Sequence, residues 1–549
     1  MLERVGPVSA TSVLDIDPTY LCDGALGFWQ IAERHPHRVA IVDADGNTTF
    51  GELRQRVDRL SKALRACGVG VGDAVAVMLP NTREWLCSAL AISQIGAYLV
   101  PLNWHLTAAE LAYLLSNSHS RALMADHRFA NAACQAVQLV ESPPQACLAV
   151  AGSIPGFLDL QPLLDEQSDG PPDHRLAGSV MFYSSGTTGH PKGVRRPLTG
   201  LMPEEALARN LPRYSAMFGL CAGDGVHLVC TPLYHAAPGS RAVQMLHLGH
   251  RIVLVEKWDS ERVLSLIERE RVDSVQLVPM LFHRVLQLPD AGRCRHDLSS
   301  LRVVIHAAAP CPPETKRRMI EWLGPILHEY YACSEGGGTY VNSDDWLQHP
   351  GTVGRRYPFS RLSILDDNGN ELPAGEPGLI YMNDGFDFEY FNDPEKTRAV
   401  KRGDMFTAGD HGYLDEAGWL YLCDRRSDLI LSGGVNIYPA EIEAVLMQHP
   451  GVTDAVVFGL PNAEWGQTVC ALVDPGEQTS AHALEALKAE LIGYCSQHLA
   501  SFKRPKHLLL AHVPRTDAGK VGRAAARQAL LDGRLKPLAG ALPAASMAP

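Results

Sequence analysis

Between Thr49 and Gly68 the apolar residues Leu53, Val57, Leu60 and Leu64 recur at helical spacing. Thr49 and Glu52 fit a capping box before that stripe and Gly68 stands after it, so the pattern predicts an amphipathic helix with one face packed inward. Short Val-rich or Ile-rich runs follow at Ala74–Met78, Arg251–Val255, Ser274–Val278 and Arg302–Ile305. They alternate with helical stretches such as Ser260–Arg271, a pattern that favours parallel sheets covered by helices. From Thr352 to Leu422 the pattern changes to short strands separated by Asp-Asn-Gly, Pro-Ala-Gly-Glu-Pro-Gly and Glu-Ala-Gly turns, which predicts a smaller β-rich subdomain. After Asp424-Arg-Arg-Ser-Asp428 a new helix (Ala440–Gln448) and strands (Val452–Gly459, Val469–Val473) are expected, the pattern of a small α+β unit. The longest apolar stretch, Trp85–Leu102, is broken by Ser88, Ser93, Gln94 and Gly96. It falls short of the ~20 residues that span a bilayer and reads as a buried helix running into a strand.

The expected fold class is therefore α/β. A large N-terminal domain of several helix-flanked sheets with a small β-rich subdomain occupies residues 1–424. A small α+β C-terminal domain occupies 428–535, and an Ala, Pro and Gly-rich tail over 536–549 is expected to fray. The length of 549 residues demands more than one domain. A formal net charge of -12 argues against general nucleic-acid binding. The 13 cysteines form no C-x-x-C pair and no zinc-spaced cluster, so neither a disulfide framework nor a structural metal is expected. Met1–Tyr20 lacks the basic start and apolar core of a secretory signal. With the reduced thiols this points to the cytoplasm, with no transmembrane segment; self-association as a homodimer stays open.

One loop concentrates the candidate chemistry: Tyr183-Ser-Ser-Gly-Thr-Thr-Gly-His-Pro-Lys-Gly193. Gly186, Gly189 and Gly193 let backbone N–H groups approach phosphate oxygens, Ser184, Ser185, Thr187 and Thr188 supply hydroxyl donors, and Lys192 adds a positive charge. The Walker loop needs Gly directly before Lys, where this chain has Pro191, so this is a different phosphate loop. A Gly- and Thr-rich surface linker is the plainer alternative.

Further segments follow in order: Thr231-Pro-Leu-Tyr-His235-Ala-Ala-Pro238, Glu329-Tyr-Tyr331-Ala-Cys-Ser334-Glu335, Thr407-Ala-Gly-Asp410, Asp424-Arg425-Arg-Ser427-Asp428 and Pro514-Arg-Thr-Asp-Ala-Gly519-Lys520. Taken with the loop, the chain from about Asp23 to Arg523 resembles the adenylate-forming superfamily, in its acyl-CoA synthetase branch. The resemblance implies an enzyme that joins ATP and a small-molecule carboxylic acid into an acyl-adenylate and passes the acyl group to coenzyme A, with Mg2+. It implies that Lys520 bridges the acid and the α-phosphate and that Glu335 ligates Mg2+. Tyr331 would stack on adenine, Ser334 would donate to the α-phosphate, Asp410 would accept the ribose hydroxyls, and Arg425 would contact ribose or phosphate. His235 would act as a gate or orient the carboxylate, with a core histidine as the alternative. Gly433 and Gly434 would line a pantetheine tunnel once the C-terminal domain turns about a hinge. At that hinge this chain has Ser427 where the family commonly has Asp or Lys, so a fatty acyl-AMP ligase is the competing reading.

The small residues Gly239, Ser240, Ala242, Ala307–Ala309 and Gly336–Gly338 fit either a broad acyl cavity or close backbone packing. Phrases such as Asn103-Trp-His-Leu-Thr107 and His306-Ala-Ala-Ala-Pro310 resemble bacterial fatty-acid and steroid-catabolic synthetases, implying a bulky apolar acid, fatty or polycyclic.

Overall fold

The computed structural model describes residues 17–184, 191–423, 428, 430–432, 435–437, 439–462, 466–476, 480–499, 501–515 and 522–538. The first patterned segment folds as its polar ends dictate. Thr49 Oγ1 accepts from the Glu52 N–H at 3.2 Å while the Glu52 carboxylate accepts from the Thr49 N–H at 2.7 Å, and the helix Phe50–Ala66 follows. Gly68, at φ 87°, turns the chain out of it. The stretch from Trp85 becomes the helix Arg83–Gln94 and then the strand Tyr98–Pro101, buried at every strand position. No helix among the described residues is long and apolar enough to cross a membrane.

The short apolar runs assemble two large sheets. Ala74–Met78, buried at all five positions, lies inside a six-stranded parallel sheet between Ser120–Asp126 and Tyr98–Pro101. The second sheet has nine described strands. Its parallel centre runs through Val39–Asp43, Arg251–Leu254, Val226–Val229, Ser274–Leu277, Val303–His306 and Leu327–Cys333, with antiparallel strands added at both edges. Strands buried on both faces leave no polar side to alternate with, which is why these runs read as continuous apolar text. Residues 361–423 form the β-rich piece, an antiparallel sheet around Gly378–Asn383.

Beyond residue 428 a further sheet pairs Asp454–Asn462 with Gly466–Asp474, and His507–Leu510 runs parallel to the latter. Its two apolar clusters, one around Ile430, Ile442 and Leu491 and one around Val456, Leu509 and Leu530, draw on no residue before 430. Arg523 binds Glu443 at 2.7 Å and Asp428 at 3.1 Å, tying the start of this unit to its last helix, Arg523–Leu531. The tail stays attached past the expected boundary at 536: the Leu538 N–H donates to the Leu510 carbonyl at 2.6 Å.

Several histidines are locked into the interior. His247 accepts from the Phe28 N–H through Nδ1 at 3.2 Å, and burial depresses its pKa to about 3. Burial also pulls His227 and His306 well below the ordinary histidine value. All three are neutral when folded and near 6.5 when unfolded, so protons bind first to the unfolded chain as the pH falls. The stability they confer is present above about pH 6.5 and is lost on the way down. Tm measured by scanning calorimetry is expected to fall steadily from pH 7.5 to pH 5. A flat profile would contradict neutral burial of these rings.

Candidate active site

The strands β1 (Phe182–Ser184) and β2 (Lys192–Arg195) pair antiparallel, with Lys192 opposite Ser184 and Gly193 opposite Tyr183. The phosphate loop therefore connects the two arms of a hairpin, and both arms are pinned. The Tyr183 hydroxyl donates to Asn117 Oδ1 at 2.7 Å, and the Tyr113 hydroxyl donates to the Pro191 carbonyl at 3.0 Å. Ser185, Gly186, Thr187, Thr188 and Gly189 lie outside the described residues. Ser184 ends β1, and Lys192 begins β2 with its Nζ 4.8 Å from the centre of the Tyr390 ring.

His235 caps the helix α1 (Ala236–His247). Its ring lies 4.5 Å from that of Tyr234, which meets Trp104 edge-on, and Trp104 stacks on Phe129 at 4.9 Å. An aromatic set built from three separate segments thus adjoins the candidate gate through Tyr234.

The strands β3 (Leu327–Cys333) and β4 (Gly336–Asn342) are antiparallel, and the chain reverses between them at Ser334 and Glu335. Ser334 is half-buried at this reversal. Gly336, Gly337 and Gly338 follow at φ 127°, 68° and 144°, a backbone region that disfavours side chains. A Cβ at Gly336 would stand 2.7 Å from Asp384 Oδ2, one at Gly337 2.5 Å from Met382, and one at Gly338 2.5 Å from the Tyr331 carbonyl. A Cβ at Gly239 would stand 2.4 Å from the Leu233 carbonyl. Here close backbone packing, rather than an open acyl cavity, accounts for these glycines.

That packing fixes Glu335. The residue is 5 % exposed; its Oε1 accepts from the Tyr390 hydroxyl at 2.7 Å, and its carbonyl accepts from Arg196 Nη2 at 3.1 Å. Tyr390 belongs to β5 (Glu389–Tyr390), which pairs with β2 through Val194. Arg196 pairs at 3.3 Å with Asp384, a buried carboxylate that also accepts from the Tyr214 hydroxyl at 3.2 Å. Burial and the Glu335 charge push the Tyr390 hydroxyl upward, so it donates as a neutral phenol. Among the described residues the Glu335 side chain has no lysine, arginine or histidine ion pair. A buried carboxylate met only by a neutral donor fits a site that takes a cation, and oxygen donors of this kind suit Mg2+.

The Tyr331 hydroxyl donates to Asp410 Oδ2 at 2.8 Å, bringing the adenine and ribose candidates together. Asp410 follows Gly409, at φ 83°, whose N–H donates to Thr407 Oγ1 at 3.0 Å. The intervening Cys333 thiol donates to the Gly336 carbonyl at 3.2 Å. Burial, then Glu335 and Asp410, push that thiol well above its ordinary pKa.

Lys192 and Glu335 thus meet through Tyr390, and Tyr331 meets Asp410, while His235 stands in the aromatic set. Arg425, Ser427, Gly433, Gly434 and Lys520 lie outside the described residues. Tyr390, Asp384 and Tyr214 are contributors that sequence reading missed, because their partners lie far along the chain. Arg196 carried a signal, a second arginine directly after the phosphate hairpin.

The chain belongs to the AMP-binding enzyme family: the family model for "AMP-binding enzyme" matches residues 28–385, and that for "AMP-binding enzyme C-terminal domain" matches residues 441–520. This places it in the adenylate-forming superfamily. A long-chain-fatty-acid–CoA ligase of Mycobacterium tuberculosis is 29% identical over 90% of this chain and 96% of its own length. A feruloyl-CoA synthase of Amycolatopsis is 32% identical over 90% of this chain and 97% of its own. The solved o-succinylbenzoate CoA synthetase of Bacillus subtilis, in complex with its acyl-adenylate intermediate, superposes with a TM-score of 0.75 at 26% identity, covering 92% of this chain and 97% of that one.

Gly338→Ala is expected to cost about 2–4 kcal/mol, from overpacking against the Tyr331 carbonyl plus an unfavourable φ. Chemical denaturation measures it, and a variant within about 0.5 kcal/mol of wild type would show that the reversal yields easily.

Proposed function

We propose that this protein is an ATP-dependent carboxylic acid:CoA ligase. The observation that carries the reading is the buried Glu335 carboxylate, held by a neutral phenol and without an ion-paired cation among the described residues, beside the base of a phosphate-loop hairpin. A free carboxylate cannot acylate a thiol usefully because its oxide is a poor leaving group. In the first half-reaction an oxygen of the acid attacks the α-phosphorus of ATP, the new P–O bond forms, and pyrophosphate leaves with the electron pair of the broken bond. In the second, the sulfur of coenzyme A attacks the acyl carbon, loses its proton, and expels AMP.

The first step demands alignment and charge neutralisation more than covalent catalysis. The hairpin holds the phosphates through Ser184–Gly189 and Lys192, Ser334 donates to the α-phosphate, and Tyr331 and Asp410 take adenine and ribose. Glu335 would hold Mg2+, which supplies charge neutralisation to the phosphates. Lys520, carried by the C-terminal domain with Arg425 at the hinge, bridges acid and α-phosphate. Gly433 and Gly434 replace it in the second half-reaction and line the pantetheine path. His235, in its aromatic set, gates or orients the acid. The acid is bulky and largely apolar, fatty or polycyclic, in keeping with relatives named for long-chain fatty and feruloyl substrates.

The test is pyrophosphate release against short, long-chain, aromatic and steroidal acids, with and without coenzyme A. Acid-dependent release followed by an acyl-CoA is expected. Release that stops at an enzyme-bound adenylate would assign the chain to the acyl-AMP ligases instead, and turnover confined to a short acid such as acetate would refute the substrate class. Lys520→Ala is expected to slow adenylation by about 10²–10³-fold while sparing thioester formation from supplied acyl-adenylate. Equal loss of both steps would contradict this division of labour.

A further inference from the structure

Arg241 lies on the buried side of α1, 7 % exposed, and no carboxylate among the described residues faces it. Its Nη1 donates to Gln244 Oε1, and the Gln244 amide in turn donates to Ser215 Oγ at 2.8 Å. The guanidinium lies 4.5 Å from the centre of the Phe218 ring, and its Nε–H has no acceptor. Gln276, 5 % exposed, donates to the Tyr330 hydroxyl at 3.2 Å and leaves its own Oε1 without a donor. The titratable groups whose charge bears on Arg241 are the phenols of Tyr330 and Tyr357 and the ring of His227, and burial holds all three neutral.

A guanidinium is not deprotonated inside a protein, so its charge persists however deeply it is buried. A buried charge without a countercharge is strongly disfavoured, and among the described residues Arg241 meets only neutral dipoles and one aromatic face. Among the described residues none fills the place of a countercharge, and a ligand carrying an oxygen acceptor would fill it. Its place is defined by the fold: successive residues of a strand face opposite ways, so Tyr331 meets Asp410 on one side of β3 while Tyr330 turns to the Arg241 cluster on the other. Arg241 is six residues beyond His235, about 9 Å along the helix axis at the usual rise per residue. With the reacting carboxylate near His235, Arg241 stands at the remote end of the acyl group. Tyr357 links this cluster to the glycine run, its hydroxyl lying 2.7 Å from where a Gly338 Cβ would be.

We propose that Arg241 determines specificity by receiving an oxygen acceptor, a second carboxylate or a ketone, that the acid carries at the end remote from the carboxylate being activated. This rests on the ligase reading and narrows its substrate class: the acid is apolar along its length and polar at its far end. Tyr330 and Tyr357 supply further hydroxyl donors around the same oxygen.

The experiment compares three acids of equal chain length, ended by a hydrocarbon, a ketone or a carboxylate, in pyrophosphate release by the full-length wild type and by Arg241→Met. The wild type is expected to favour at least one oxygen-ended acid by at least about tenfold in kcat/KM, and the variant to bring that ratio close to unity. Which oxygen-ended acid is favoured tells the anionic from the carbonyl source. A wild type that prefers the hydrocarbon-ended acid, or a ratio unchanged in the variant, overturns the proposal. Thermal unfolding supplies a second readout that needs no turnover. Without ligand the variant should unfold no lower than wild type, since an uncompensated charge has been removed, and the oxygen-ended acid should raise the wild-type Tm only. A variant Tm lower by more than about 5 °C would assign Arg241 to the packing of Gln244, Ser215 and Phe218, and would overturn the proposal. Failure of every acid to release pyrophosphate, with the selective thermal shift intact, would sink the ligase reading and leave the Arg241 site standing. Absence of both would sink both.

Discussion

A single buried carboxylate organises this molecule. Glu335 is held by the hydroxyl of Tyr390, 55 residues onward, and through its backbone by Arg196, 139 residues back. Tyr390 lies on the strand that pairs with the hairpin arm behind the phosphate loop, so the placement of Glu335 and of that loop is one problem with one solution. Asp384 closes the ring by pairing with Arg196 and accepting from Tyr214. Gly336 follows from this constraint, because Asp384 and Arg196 stand where its Cβ would be, while Met382 excludes a side chain at Gly337 and the Tyr331 carbonyl with Tyr357 excludes one at Gly338. The parallel sheets behind it form a rigid wall, and the residues that would handle ATP stand on strand ends and turns at its edge, where a stable frame leaves backbone and side chains available.

How legible this was depended on the reach of each interaction. The helix Phe50–Ala66 could be read because its capping box and apolar stripe are local, and the buried strands because continuous apolar runs have few other uses. The order of the candidate motifs could be read because each is a compact run of unusual residues, and the fold joins Lys192 to Glu335 through Tyr390 and Tyr331 to Asp410. Tyr390 and Asp384 were illegible for the opposite reason: a tyrosine in Glu389-Tyr-Phe-Asn392 resembles any strand residue until its partner is known. The small residues near the site posed an ambiguity that sequence could not resolve, since a glycine serves a cavity and a tight contact equally well. Distances decided for contact at Gly239 and at Gly336–Gly338.

Arg241 shows the same limit from another side. In sequence it is one polar residue in a helix of mixed character, and surface exposure is the ordinary expectation for arginine. Only the fold turns it inward, among Gln276, Tyr330 and Phe218, where its charge conflicts with a purely apolar acyl site. Burying a charge costs several kcal/mol even after relaxation.

Cys333 stands between the adenine and metal candidates, in a site proposed to build a mixed anhydride whose purpose is to be attacked by a thiol. Its own thiol lies in the same short segment as Ser334 and Glu335. The thiolate is the nucleophilic form, and burial together with the negative charges of Glu335 and Asp410 keeps the proton on sulfur, while the S–H is spent on the Gly336 carbonyl. The negative charges that suit the site to a cation therefore also hold this thiol in its protonated, less nucleophilic form.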